Sequence, residues 1–334
     1  MSFFMLGADK KLRKDNKLVK LNGLMDWSRI KKHLKQVHKN DINPQGGQKA
    51  YDNLKMFKAI LLGQWHNLSD PGLEEALCVR IDFMVFTGFE LNDDIPDETT
   101  LCRFRNKLIE KGLDKKLFKE VNFQLERLGL KLEKANGAVV DATIIESAAR
   151  PRKTINIEED REESGDKVEI EESKDPDAKW LKKGKKSYFG YKGFIVVDSD
   201  DGFIQTVHTE SANEAEIDKL DKIIPEIKAK RLYADKGYSS DKNRKLIKDK
   251  FKDGIMHKAA KNKTLTPRQK LINKLISKKR YIVEQGFGTL KRIFEFTRAS
   301  YIKKIKVEAQ LTLKAICFNL LKAVNMVKDV HYSA

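Results

Sequence analysis

The feature that most constrains this chain is a change of periodicity at Asn136. From Tyr51 to about Leu132, apolar residues recur at helical spacing. Then "GAVVDATII", a short β-branched run after a glycine, reads as a buried strand. Upstream, "YDNLKMFKAILLGQWHNL" places Leu54, Phe57, Ile60 and Leu61 on one face. "SDPGLEEALCVRIDFMVFTGF" offers Ser69 or Asp70 as N-cap with Pro71 in the first turn. "IPDETTLCRFRNKLIEKG" opens at Asp97 and closes at Gly112. Downstream, "YFGYKGFIVVD" and "GFIQTVHTE" flank "SDDG", a hairpin turn in which Gly202 supplies positive φ. A helix is expected over "NEAEIDKLDKIIPEIKA", kinked or ended by Pro225, then a strand at "RLYAD" and a helix at "SSDKNRKLIKDK" capped by Ser239 or Ser240. "GIMHKA" reads as a last strand, and helices dominate from Thr266. A hairpin followed by alternating helices and strands indicates a mixed α/β domain on a central sheet.

The expected organisation is a basic extension (1–50) ending in the loop-like "NDINPQGGQ", a helical domain (51–132) and an α/β domain (136–325). The last carries a flexible acidic insertion at about 151–186, because Glu158 to Asp177 is acidic and poor in aromatics.

A formal charge of +18 on 334 residues points to a polyanion, with nucleic acid ahead of membrane or acidic protein. Between Lys242 and Lys306 stand 21 basic residues against four acidic ones, a local excess of +17. Arg103, Arg105 and Lys107 are candidates for phosphate contact, with ordinary solvated charge the plain alternative. Cys78, Cys102 and Cys317 are too scattered for a zinc site or a disulfide framework. No 18-residue apolar span occurs and the N-terminal apolar run is short, so a soluble intracellular protein is expected.

Three acids stand apart from the surface ones. Asp141 closes the apolar run "AVVD", where a bare carboxylate is costly unless a charge or metal compensates it. Asp235 follows "LYA" and precedes the turn at Gly237. Glu284 lies in "RYIVEQGFGTLKR", where Val283, Phe287, Leu290 and Phe294 form an apolar stripe beside a face bearing Arg280, Glu284, Gly288 and Lys291. An Arg280–Glu284 ion pair is the simplest reading of that helix taken alone. Strand-end carboxylates converge at the carboxyl edge of an open α/β sheet. Three of them suit Mg²⁺ or Mn²⁺ rather than zinc, and a pair of such ions can run an in-line phosphodiester displacement.

These blocks resemble those of bacterial insertion-sequence transposases of the DDE type, whose catalytic domain is RNase H-like. "VVDATIIESA" is similar to the block around the family's first Asp, and "YADKGYSSDKNRK" to that around the second. "RYIVEQGFGTLKR" is similar to the Tyr-x2-Arg-x3-Glu-x6-Lys block, with Arg280, Glu284 and Lys291 in place but Ser277 where Tyr is expected. The supporting role of that Tyr in relatives is then either absent or filled otherwise, with nearby Tyr281 a candidate. "YFGYKGFIVVDSDDGFIQTVHTESANEAEID" and the helical stretch from Tyr51 to Gly112 resemble further parts of the family-five branch.

The resemblance implies an all-α N-terminal DNA-binding domain before the RNase H-like one. It makes Asp141, Asp235 and Glu284 the catalytic, metal-holding acids, with two Mg²⁺ ions for which Mn²⁺ can substitute. Arg280, Lys291 and Arg292 would hold DNA phosphates, with Arg103 and Arg105 as further contacts. Arg280 and Lys291 could instead be structural partners of Glu284. The implied activity is cleavage at the terminal inverted repeats to free 3′-hydroxyls, then joining to target DNA, by a homodimer in the cytoplasm at the nucleoid. The alternatives are an RNase H-like nuclease without strand transfer and an inactive, domesticated DNA-binding protein. His208 is expected to be packed in the core or to act behind the site. Tyr238, Tyr281 and Phe287 are weighed as base-stacking groups, Phe287 more as core. Trp180, beside a lysine run, is weighed as a DNA-contact loop or a solvated linker.

Overall fold

A computed structural model describes residues 15–37, 50–151, 173–260 and 264–327, together with Gly7, Leu12 and the backbone of 154–158 and 167–171. The loop expected at "NDINPQGGQ" and the tip of the acidic insertion lie outside the described residues. Seven helices precede the first strand among them: α1 (Lys17–Leu24), α2 (Trp27–Leu34), α3 (Asn53–Trp65), α4 (Asp70–Val79), α5 (Ile81–Thr87), α6 (Glu98–Glu110) and α7 (Leu113–Arg127).

Side-chain caps start most of these helices. Asn16, Asp26, Asp52, Ser69 and Asp97 each accept backbone N–H bonds at the first turn of α1, α2, α3, α4 and α6. Gly112, at φ +60°, both ends α6 and admits α7. The first fifty residues are thus more than a basic extension. Leu18, Leu21, Ile30, Leu34 and Val37 from α1, α2 and the turn after it are buried in the same core as α3.

The α/β part is built on a mixed sheet. Its strands are β1 (Ala138–Glu146), β4 (Lys179–Lys183), β5 (Lys186–Asp198), β6 (Ile204–Ser211), β7 (Arg231–Ala234) and β8 (Lys252–Ile255). The order is β4-β5-β1-β7-β8, and β6 also pairs with β5. β5 runs antiparallel to β1, β4 and β6, whereas β7 is parallel to β1 and β8 to β7. β2 (Thr154–Glu158) and β3 (Lys167–Glu171) make a separate antiparallel hairpin.

The end of the expected insertion belongs to the sheet. β4 pairs with β5, and Asp175, fully buried, accepts bonds from Ser147 Oγ (2.5 Å), Tyr191 OH (2.5 Å) and Lys303 N (2.9 Å). Burial, and then the bond to Asp175, hold the Tyr191 phenol far above its ordinary range. The expected helix after β6 is broken into a 3-10 turn (Glu216–Asp218), one turn of α8 (Leu220–Ile223) and a second 3-10 turn at Pro225.

After α9 (Asp241–Ile247), which Ser240 caps, and β8, the chain forms two long helices, α10 (Pro267–Arg292) and α11 (Lys304–Met326). A capping box between Thr266 and Gln269 starts α10. α11 is buried on nearly every side from Val307 to Val324 because it packs on β6 and on α1, α3, α6 and α7. Two polar staples fix that junction. Asn319 donates to Asn122 (2.7 Å) and to the Ile204 carbonyl (2.8 Å), and accepts from Ile204 N (2.9 Å). Lys314, almost fully buried, donates to the Phe294 carbonyl (2.8 Å), Gln64 O and Asn67 Oδ1. Burial pulls its ammonium down to about 8.

Candidate active site

The two aspartates meet by strand register. β1 and β7 pair at Ala138–Leu232 and Val139–Tyr233, and no further. Asp141 and Asp235 each lie two residues beyond that last pair, where β7 has ended and β1 continues along β5 to Glu146. Asp141 is therefore within its strand rather than at its end, opposite Ile195 on one side and open on the other. That opening, at the carboxyl end of a parallel pair, is where open α/β sheets expose polar groups without breaking a ladder.

Asp235 caps the 3-10 turn Lys236–Tyr238 by accepting from Gly237 N. A Cβ on Gly237 would come within 2.7 Å of Asp235 Oδ1, so the cap needs glycine there. The same turn buries Tyr238 completely, and its hydroxyl has no hydrogen-bond partner among the described residues.

α10 lies across this opening, packed on β1, β5 and β7 through Ile276, Val283, Gly286 and Leu290. Arg280 reaches Asp141 rather than Glu284, its Nη2 donating to Oδ2 at 2.8 Å. Burial pushes the Asp141 carboxyl up from its ordinary value, against Arg280 and the Ala142 N–H, and the charge of Asp235 adds to the rise. Arg280 Nε is buried without a partner. Glu284, one turn along α10, is exposed and makes no ion pair or hydrogen bond among the described residues. No three His, Cys, Asp or Glu side chains among the described residues are gathered closely enough to cage an ion.

Beyond Asp141, a cavity of 560 Å³ opens between β1, β4, β5 and α10, lined by Ala142, Thr143, Lys183, Lys192, Glu216 and Lys291 among others. Burial, and then the neighbouring Lys183, lower the Lys291 ammonium below its ordinary value. Neither lysine forms an ion pair among the described residues.

The other expected contacts divide. Arg103 and Arg292 are exposed, the latter's Nε donating to the Gly288 carbonyl at 3.3 Å. Arg105 is buried instead: it grips Asp70 through two bonds (2.6 and 2.8 Å) and lies 4.3 Å from the centre of the Tyr301 ring. A guanidinium so engaged is a packing element, not a phosphate contact. His208 belongs to a separate cluster, bonded to Glu210 (2.9 Å) and against Phe194. Lys222, His208 and Lys304 hold Glu210 down to about 2 despite its burial. Ser277 Oγ faces Met256, and Tyr281 is 60% exposed, so neither touches the aspartates. Trp180 is exposed on β4 beside Phe189, a strand position rather than a linker. Phe287 packs on the main core.

A Transposase DDE domain matches residues 133–320, which span β1 to α11 and include all three acids. The chain belongs to the DDE transposase family. A Transposase domain also matches residues 7–107. The transposase for insertion sequence element IS1106 of Neisseria meningitidis serogroup B is 44% identical over 226 residues, 67% of this chain and 77% of that protein. No solved structure matches. This DDE transposase is an enzyme that acts on DNA, of a class that uses divalent metal ions. Its family implies an RNase H-like fold, with which the antiparallel β6-β5-β1 and parallel β1-β7-β8 order agrees. No helix among its described residues is long and apolar enough to cross a membrane.

Sequence reasoning missed Glu216. It lies in an acidic run, "NEAEID", where nothing in composition separates it from its neighbours. Its signal was positional: it falls between the hairpin and the strand that carries Asp235.

Proposed function

We propose that this transposase binds the terminal inverted repeats of its own insertion sequence, cleaves DNA at the element ends to free 3′-hydroxyls, and joins those ends to target DNA. The observation that carries the reading is the register that sets Asp141 and Asp235 side by side under α10. Carboxylate oxygens are the donors that Mg²⁺ and Mn²⁺ take, and the guanidinium on Asp141 marks a position that favours a cation. Asp141, Asp235 and Glu284 would hold two Mg²⁺ ions, with Mn²⁺ as a substitute. Those ions would activate the attacking oxygen and stabilise the leaving one.

In this reading Arg280 neutralises the half-buried Asp141 until the metal is bound, and Glu284 closes on the pair when DNA arrives. Lys291 lines the cavity without an ion pair, which suits a DNA phosphate, and Lys183 lines it near Glu216. Arg292 and Arg103 present exposed charge for backbone contact, Arg103 from the helical N-terminal part, which we assign to DNA binding. Two element ends must be cut in concert, which calls for a homodimer at the nucleoid.

The test is cleavage of a duplex that carries the DNA flanking the reading frame, in Mg²⁺, with a second duplex as target. Wild type should nick at the element end and give joined product, whereas Asp141→Ala, Asp235→Ala and Glu284→Ala should each lose at least about 10³-fold in rate. Equal activity in the three variants would overturn the acid assignment. Nicked product that is never joined would favour a nuclease without strand transfer.

A further inference from the structure

Glu216 stands in the 3-10 turn that touches the Lys236–Tyr238 turn following Asp235. Its side chain lines the same cavity as Ala142 and Thr143, the two residues after Asp141. Lys192 on β5 tethers it: its Nζ is 3.6 Å from Glu216 Oε1 and donates to the Glu214 carbonyl at 2.8 Å. Glu216 makes no side-chain cap and lies outside the apolar clusters, so its structural use among the described residues is the pair with buried Lys192.

One observation independent of the carboxylates points to a cation at this place. The Tyr238 hydroxyl is fully buried and unpartnered, and the charged groups it feels are Glu216, Asp141, Asp235 and Arg280. A buried, unpartnered hydroxyl in the turn that follows Asp235, packed against the turn that carries Glu216, is poised for a group that the site takes up, such as a metal's water.

We infer that Glu216 is a fourth acid of the metal centre, a positioning residue that draws and orients a hydrated divalent cation held by Asp141 and Asp235, with the Tyr238 hydroxyl bonding to that hydration shell. Mg²⁺ keeps several of its waters when bound, so an acid outside direct reach still acts on it through them. Carboxylates that hold the outer shell of a metal set its affinity by about 10–100-fold. Burial raises the Glu216 carboxyl, as do Asp141 and Asp235, while Lys192 opposes them; the added cation would favour its charged form. This inference rests on the metal-holding reading of the aspartate pair.

The experiment is a calorimetric titration of Mn²⁺ into the full chain. It compares wild type, Glu216→Gln, Glu216→Asp, Tyr238→Phe, Asp141→Asn and, as a nearby control, Glu214→Gln, whose carboxylate pairs with Lys219 at 2.7 Å. Glu216→Gln should weaken Mn²⁺ binding about tenfold, and its melting temperature in chelator reads separately the loss of the Lys192 pair. Glu216→Asp should recover part of the affinity, and Glu214→Gln should bind as wild type. Tyr238→Phe should bind Mn²⁺ less tightly without loss of metal-free stability, because the hydroxyl has no protein partner to lose. If Glu216→Gln binds as tightly as wild type while Asp141→Asn does not, the fourth-acid inference is wrong and the aspartate pair stands. If wild type and Asp141→Asn bind Mn²⁺ alike, or neither binds it, the reading of the pair fails and this inference falls with it.

Discussion

Single carboxylates define this site by where they cannot easily be neutralised. Asp141 is half-buried among apolar strand residues and paired to Arg280 from 139 positions away. That an acid interrupts "AVVDATII" was legible in the sequence, because an apolar strand has no structural use for it. Its partner was not, since Arg280 sits at perfect helical spacing from Glu284 and a local pair is the default expectation. Arg105 misled for the converse reason. An arginine on a polar-looking helix reads as solvated until Tyr301, nearly two hundred residues on, closes over it.

Asp198 provides a test of burial at this scale. It ends β5 fully buried, and burial is the largest cause that raises its carboxyl to about 6, opposed by the Asp200 and Asp201 N–H groups. The folded chain then holds this proton to higher pH than the unfolded chain does. Its contribution to stability is complete below about pH 4 and is lost as pH rises through about 6, by up to roughly 3 kcal/mol. Asp198→Asn keeps the acceptor for those N–H groups without the charge. Denaturant unfolding should therefore find the variant more stable than wild type at pH 8 and little different at pH 4. A variant less stable at pH 8 would mean that the charged form is the favoured one.

At the scale of elements, α10 is what carries Glu284, the proposed third acid, across the sheet. Its apolar stripe was readable from Val283, Leu290 and Phe294, all three buried, although Phe294 lies just past the helix end. Leu290→Ala should cost about 2–5 kcal/mol by the cavity it leaves, read as a lower urea midpoint. DNA cleavage by the fully folded variant should fall as well, because Glu284 and Lys291 depend on the same helix. Retained stability would show that this stripe does not seat α10 as described. The strands on either side of Gly202 were equally legible, their turn taking φ +72°. The broken helix after β6 was less so, since Pro225 announces an interruption but not that only single turns survive. Residues 17–37 read as a basic extension because their helices are short and rich in lysine, although Trp27, Ile30 and Leu34 stand at helical spacing. Their caps at Asn16 and Asp26 were the available signal.

Across the whole molecule, the two halves seen in the sequence share one core. α11 is the buried element common to both, and a charged Lys314 and the Asn319–Asn122 pair are fixed at the seam. A change of periodicity marks a boundary in pattern, yet it cannot tell whether the last helix of one part is the centre of the other. That arrangement sets the exposed arginine of α6 and the catalytic sheet on a common frame.

The central claim is that Asp141 and Asp235, joined by Glu284, form the metal centre of a DNA-cleaving enzyme. Anomalous diffraction from Mn²⁺ in crystals of the transposase bound to an element-end duplex tests it most directly. The account predicts Mn²⁺ between Asp141 and Asp235, Glu284 turned in toward it, and Arg280 released from Asp141. Mn²⁺ located elsewhere, with Arg280 still bonded to Asp141, would contradict it.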